Sequence, residues 1–383
     1  MKTIRHDDSG VIRTRTFAPM SRRTMLQGMA ATGGLAALGV SGSQAKAGTA
    51  VKFMGWQGYD EFLGGGDYLA ANDITLDKTY ISAPEEIVAR LRLSAGQVDV
   101  CTPYFLHCDF MANEGLLEPL DLEQIPNFKN LDPTIVKFSE GNMSEGGKWY
   151  SAPFTWASIN LMYNPVHVKE VPTSWRDMLK DEYKGKCAIP ADLPSAFSTW
   201  GRVATGTDEP NHMTYEELEK TVAFIVKMKK EHLRTIASSY GELVDLLARE
   251  EVIICQGAEP VAAWIGDGPE IRWVYPEEGC MSFIEGYSIG RGAPNLEAAH
   301  ALINQALSVE GQLAGAGYNG MPVTNTEALA GVDDWNRSAY PYDDIESYFT
   351  TKLRIDPMYY LEEDGVHATW DDYIEAWEHI LKA

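Results

Sequence analysis

Two glycine-framed motifs in this chain could carry chemistry, and both stand in the wrong setting for it. Gly286-Tyr287-Ser288-Ile289-Gly290 has the G-x-S-x-G spacing of a nucleophile elbow, in which a tight strand-to-helix turn exposes the serine hydroxyl. Arg291-Gly292-Ala293-Pro294 follows, a loop rather than a helix, so a serine hydrolase using Ser288 is the weaker reading. Gly315-Ala316-Gly317-Tyr318-Asn319-Gly320 has the G-x-G-x-x-G spacing of a dinucleotide loop, which must follow a strand and open a helix. It follows a helical pattern and runs into Met321-Pro322, so it reads as a glycine-rich helix end. No Walker sequence and no H-E-x-x-H occurs, and the eight His are scattered without ligand spacing. His107-Cys108-Asp109 is contiguous, so its side chains cannot all face one ion. Glu285 lies between Ile284 and Gly286 on a strand-like run, an expensive place for an unpaired carboxylate. Asp192 stands between Pro190 and Pro194, where it either caps a turn or faces a ligand. Nothing in these residues demands an enzyme, and no cofactor or metal is expected.

The elements that must position such residues alternate between strand-like and helical patterns, which argues for an α/β fold with mainly parallel sheets. Val51-Lys52-Phe53-Met54, Val98-Asp99-Val100-Cys101 and Cys187-Ala188-Ile189 read as strands. Ser82-Ala83-Pro84-Glu85 reads as a capping box opening a helix to about 94, and Thr214-Tyr215-Glu216-Glu217 as another, opening a helix to about 233. Asn295 begins a helix through about 307. Thr369-x-x-Asp372 begins the last one, with Trp370, Tyr373, Ile374, Trp377 and Leu381 as its apolar stripe.

With 383 residues the chain has room for two domains, yet no linker separates two continuous halves, which suggests lobes that share the chain by crossing back and forth. Its 32 Lys and Arg stand against 55 Asp and Glu, a formal charge of −23, which disfavours nucleic acid and acidic membrane surfaces as partners. Ser21-Arg22-Arg23-Thr24-Met25-Leu26 is the pattern of a twin-arginine export signal, followed by a short run rich in Gly and Ala and by Ala45-Lys46-Ala47, a small-x-small cleavage pattern. Residues 1–47 are therefore expected to be a signal peptide, with the mature chain starting at Gly48. That run is too short and too glycine-broken for a stable membrane span. Cys101, Cys108, Cys187, Cys255 and Cys280 are odd in number and contain no Cys-x-x-Cys pair. Buried free thiols are the favoured reading, although an oxidising compartment also allows a disulfide.

Several boxes, in order, resemble the periplasmic spermidine/putrescine-binding proteins of ABC importers. The first is Phe53-Met54-Gly55-Trp56-Gln57-Gly58-Tyr59, with aromatics in W-x-x-Y spacing. Asp99-Val100-Cys101-Thr102-Pro103 and Asn113-Glu114-Gly115-Leu116-Leu117 follow, then Asn127-Phe128-x-Asn130-Leu131-Asp132-Pro133 and Tyr150-Ser151-Ala152-Pro153-Phe154-x-Trp156. Thr173-Ser174-Trp175 with Glu182-Tyr183-Lys184-Gly185, Pro276-x-Glu278-Gly279 and Gly317-Tyr318 complete the set, which spans 51–325.

The resemblance implies a two-lobed, class II periplasmic-binding-protein fold with a ligand cleft between the lobes. Lobe 1 would hold 48–153 and about 285–330, and lobe 2 about 154–284 and 331–383. It implies a periplasmic location, a monomer, a small amine as ligand, and an inner-membrane permease with its ATPase as partners. By the same resemblance Trp56 and Tyr59 match the first aromatic pair of the cleft, and Tyr104 lies in the run replacing a wall tyrosine. Phe283 and Glu285 match an aromatic and the acid that grips an ammonium, Asp192 matches a second acid, and Tyr318 a cleft tyrosine. The chemistry is coherent, because carboxylates pair ammoniums and ring faces suit methylenes and cations.

The chain also departs from the family. Ser195 stands where another acid is expected, and a second-lobe tryptophan is replaced within Gly257-Ala258-Glu259, where Glu259 could restore the lost charge. Fewer or relocated acids favour a putrescine-sized diamine over spermidine. The alternative within the fold is an anion or ferric iron. None of the matched positions carries a base, and Tyr359-Tyr360, a tempting ferric pair, lies outside the matched boxes.

Overall fold

The structure is a computed structural model that describes residues 12–13, 48–81 and 84–383. The export motif at 21–26, the cleavage pattern at 45–47 and Ser82 of the expected capping box lie outside the described residues.

One mixed sheet runs through the molecule. Its first wing is β1 (Thr49–Gly55), parallel both to β2 (Ile74–Tyr80) and to β3 (Val100–Cys101). The long strand β4 (Ser151–Tyr163) is buried along its whole length. The second wing comprises β5 (Cys187–Pro190), parallel to β6 (Thr235–Ala237) and to β7 (Ile254–Ala258). The short β8 (Arg272–Val274) precedes the second long strand, β9 (Cys280–Gly290), and the order across the sheet is β6-β5-β7-β4-β9-β3-β1-β2. Ile12–Arg13 pairs antiparallel with β8.

The wings are parallel, but the centre is antiparallel. There β4 and β9 pair with each other, while β4 also pairs with β7 and β9 with β3, so these two strands carry the chain from one wing to the other and back. The expectation of mainly parallel sheets fails at this seam because a strand buried on both faces has the same apolar run in either direction.

The seam is irregular where it matters. Glu285 faces Thr155, but Gly286 faces Pro153, leaving Phe154 unpaired. Pro153 has no N–H to give the ladder, which is the local cause of such a slip, and bulges re-aim the side chains beside them. Gly286 permits the close approach there, since a Cβ on it would lie 2.2 Å from Oγ of Ser151.

Three helices follow their sequence signals, whereas Glu85–Leu93 starts directly after Pro84 with no side-chain cap, so Glu85 opens that helix instead of standing three residues into it. The Thr214 and Thr369 capping boxes open Tyr215–Glu231 and Trp370–Lys382, and Asn295 precedes Leu296–Ala306. In the last helix Trp370, Tyr373, Trp377 and Ile380 are buried, whereas Leu381, placed in the stripe above, is 43% exposed. Seven residues from Tyr373 bring the helix back to the same face at Ile380, and the eighth turns away. All five Cys are buried free thiols. Gly315 to Gly320 indeed end a helix, Val309–Asn319, with Gly320 in the left-handed conformation. No helix among the described residues is long and apolar enough to cross a membrane.

Candidate functional site

Glu285 sits on β9 at the slipped register, 6% exposed, and its Oε2 is buried with no hydrogen-bond partner. Burial pushes its carboxyl up to about 8, and the charge of Asp192 adds to the shift. An acid held in this way, with one oxygen unanswered, is costly to the fold and is where a ligand cation would be welcome.

Asp192 comes to the same place from the second wing. It follows β5 and precedes the helix Leu193–Thr205, whose N-terminus its side chain does not cap. The Tyr240 hydroxyl, at the head of the helix Tyr240–Ala248, donates to Asp192 Oδ2 at 3.0 Å. Burial raises the Asp192 carboxyl, opposed by the hydrogen bonds from Tyr240 and Ser195. Ser195 supplies no charge where an acid was expected; its hydroxyl donates to the Asp192 carbonyl at 3.1 Å.

Rings stand around these acids. Tyr59 is 7% exposed, meets Phe154 edge-on at 5.1 Å, and has its hydroxyl pushed up by burial and then by the Glu285 charge. Its backbone carbonyl accepts from the Tyr287 hydroxyl. Gly58, at φ +91, makes the turn that delivers it, and Asn319 donates to the Gly58 carbonyl at 2.8 Å. Tyr104 is equally buried and lies in the fields of Asp356, Asp192 and Glu285. Phe283 is two residues before Glu285, on the same face of β9, and Trp56 is partly buried against the core.

Two expected members make no contact with these acids. Tyr318 is 48% exposed, its ring beside Gly58 and so next to the Tyr59 turn, and it lies by Glu61, Asp60 and Lys78. Glu259 is fully buried, but its carboxylate is taken up by the Ser158 N–H and hydroxyl, at 3.1 and 2.6 Å, and by the hydroxyls of Tyr348 and Tyr275. It therefore does not restore a charge beside Glu285.

Three further residues belong to the cluster. Tyr240 is one. Glu85, half-buried at the start of the helix Glu85–Leu93, has its carboxyl raised by burial and by Asp192. Tyr359, 2% exposed, lies in the fields of Tyr104, Asp356 and Asp192. Its neighbour Tyr360 instead stacks on His212 and His367, at 4.4 and 5.0 Å, so the suspected ferric pair is split. No group of His, Cys, Asp and Glu among the described residues could hold a metal ion. Ser288 lies mid-strand in β9, fully buried and opposite Ser151, with none of the exposure an elbow requires.

The electrostatics have one sign. No Lys or Arg is among the charges that shift Glu285, Asp192, Glu85, Tyr59, Tyr104 or Tyr240. Arg202 is ion-paired with Asp356 and also bonds Ser198 and the Asp208 carbonyl, so it is spent. His107, edge-on to Tyr104 at 5.2 Å, is held neutral, with burial lowering it to about 3.

Comparison with known proteins fits this architecture. Residues 66–341 match the family model of bacterial extracellular solute-binding proteins. The chain belongs to that family. It is 27% identical over 308 residues to the spermidine/putrescine-binding periplasmic protein of Escherichia coli K12, covering 77% of this chain and 83% of the relative. It is 25% identical over 267 residues to the putrescine/agmatine-binding protein of Pseudomonas aeruginosa, covering 65% and 66%. Among solved structures, a spermidine/putrescine ABC transporter protein of Listeria monocytogenes superposes with a TM-score of 0.74 at 18% identity, over 87% of this chain and 98% of that one, and has the same fold. These relatives are solute-binding transport proteins rather than enzymes.

Proposed function

We propose that this solute-binding protein serves an ABC importer in the periplasm and closes on a small aliphatic polyamine, putrescine-sized rather than spermidine-sized. The observation that carries the reading is the buried, unanswered Oε2 of Glu285 beside Asp192, with tyrosines around it and, among the described residues, no Lys or Arg among the charges that shift these groups. The relatives named for spermidine, putrescine and agmatine support it. The preference for a diamine rests on two departures: Ser195 brings no charge, and Glu259 is held by four donors of its own.

In this reading lobe 1 is 48–153 with about 285–330, lobe 2 is about 154–284 with 331–383, and β4 and β9 are the hinge strands. Asp192 then lies on lobe 2, Glu85, Tyr59 and Tyr104 on lobe 1, and Glu285 at the crossing. Without ligand, the buried acids are held together with Glu285 protonated at neutral pH. A diammonium ion pairs with the carboxylates instead, and the closed form is favoured by this difference in affinity. Micromolar binding needs about 8 kcal/mol net, within reach of two charge-assisted pairs and ring contacts. The closed form then docks on the permease, which the ATPase drives, and the protein acts as a monomer.

A thermal-shift panel of putrescine, spermidine, amino acids, carboxylates and Fe(III) on the mature protein tests the reading. Putrescine is expected to give the largest stabilisation. Stabilisation by anions or iron alone would overturn it. Export is assigned to the twin-arginine route, so replacing Arg22 and Arg23 by Lys is expected to leave the precursor in the cytoplasm.

A further inference from the structure

A concavity of about 710 Å³ lies between the loops around 171–173 and 274–277 and the segment 337–352, and none of the residues clustered around Glu285 lines it. Tyr275, Tyr340, Tyr342 and Tyr348 form much of its wall. All four hydroxyls are committed to protein partners. Tyr348 and Tyr275 donate to Oε1 of Glu259 at 3.0 and 3.4 Å, and Tyr340 donates to the Gly320 carbonyl at 2.9 Å. Tyr342 donates to Oδ1 of Asn336 at 2.5 Å while accepting the Val323 N–H at 3.0 Å. Tyr340 and Tyr348 are 2% and 5% exposed, so the ring surface open to a guest is that of the half-buried Tyr275 and Tyr342, which these bonds fix in place before a guest arrives. Aromatic faces are negative and attract cations.

The surrounding charge has the same sign. Glu259 is buried behind Tyr275 and Tyr348, and Glu277, Asp343 and Asp344 line the concavity itself. Two bases oppose these four acids, Arg337 and Lys352, and the guanidinium of Arg337 is engaged by the Leu329 carbonyl.

We propose that this concavity is a second binding site, for a small organic ammonium ion held by cation–π contact with the tyrosine rings. It stands whether or not an amine fills the carboxylate cluster.

Tetramethylammonium is the discriminating probe, because it has no N–H to donate to a carboxylate and depends on ring faces. Calorimetric titration of the mature protein is expected to give saturable binding at one site. Tyr342→Leu should weaken it at least tenfold. Asp343→Asn combined with Asp344→Asn, both exposed and outside the core, should weaken it several-fold even if Tyr342→Leu fails to fold. Glu285→Gln should leave it unchanged. Absence of saturable binding, loss of binding in Glu285→Gln, or wild-type binding in the groove variants would each overturn the proposal. Putrescine affinity in the groove variants reports separately on the carboxylate cluster.

Discussion

Asp192 acts on Glu285: among the described residues it is the charged neighbour that shifts the Glu285 carboxyl, adding to the larger effect of burial. Asp192 is softened by a hydroxyl from Tyr240, whereas Oε2 of Glu285 has no donor at all. This asymmetry makes Glu285 the more demanding of the two acids.

Glu285→Gln keeps the shape of the side chain and removes its charge. Truncating one partner of a buried, hydrogen-bonded charge pair costs about 2–5 kcal/mol of binding. Putrescine affinity is therefore expected to fall at least thirtyfold by calorimetry. The ligand-free variant should melt no lower than the parent at pH 8, because a poorly solvated charge has been removed. Unchanged affinity would show that another acid grips the ammonium.

The same carboxyl makes both stability and binding depend on pH. Its folded value of about 8 lies above the ordinary 4.5, so between these values the folded, ligand-free protein holds a proton that the unfolded chain has lost. Stability then falls as pH rises, since the native state binds more protons. The contribution is fully present below about pH 4.5 and lost as pH passes about 8. Amine binding needs the carboxylate, so affinity should rise as pH increases from 6 to 8, and binding at pH 7 should release a proton. Titrations in buffers of different ionisation enthalpy measure that proton directly. A binding enthalpy independent of buffer at pH 7 would contradict the assignment.

Glu259 is the contrasting acid. Its four donors come from Ser158 on β4, from Tyr275 beyond β8, and from Tyr348 near the C-terminus, so it ties three segments together. Glu259→Gln breaks part of a buried network, and leaving such groups unsatisfied costs about 1–3 kcal/mol. A lower melting temperature with putrescine affinity within threefold of wild type is expected. A selective loss of affinity at unchanged stability would return Glu259 to the binding site.

How far the sequence discloses this site can be followed through the same residues. Glu285 is conspicuous because a charge interrupts an apolar strand. Glu259 stands just as conspicuously by Pro260, yet its donors come from positions as distant as Ser158 and Tyr348, which no local pattern reveals. Tyr318 follows a plausible motif, but the helix carrying it ends at left-handed Gly320 and leaves the ring half-exposed. Tyr240 reads as an ordinary helix start after the cap Ser239, and Glu85 as half of a capping box. Tyr240 meets Asp192 because β5 and β6 are parallel neighbours, a pairing no local pattern reveals, whereas Glu85 comes to it from the other wing. The antiparallel seam is likewise hidden, because pairing direction leaves no mark on a strand buried on both faces.

Tyr240→Phe isolates the role of one hydroxyl. The ring at the head of its helix remains, while Asp192 Oδ2 loses a donor at 3.0 Å. The hydroxyl presently stabilises the charged form of Asp192, and a hydrogen bond to a charged group contributes about 1.5–3 kcal/mol. Removing it should raise the Asp192 carboxyl further, since burial already pushes it upward. Two effects then oppose each other in the variant: Asp192 is harder to ionise, but once ionised its Oδ2 has one competitor fewer for an ammonium. Loss of the donor is expected to dominate, with putrescine affinity down roughly tenfold. Calorimetry measures it beside the melting temperature of the ligand-free variant, and unchanged affinity would show that the Tyr240–Asp192 bond does not serve binding.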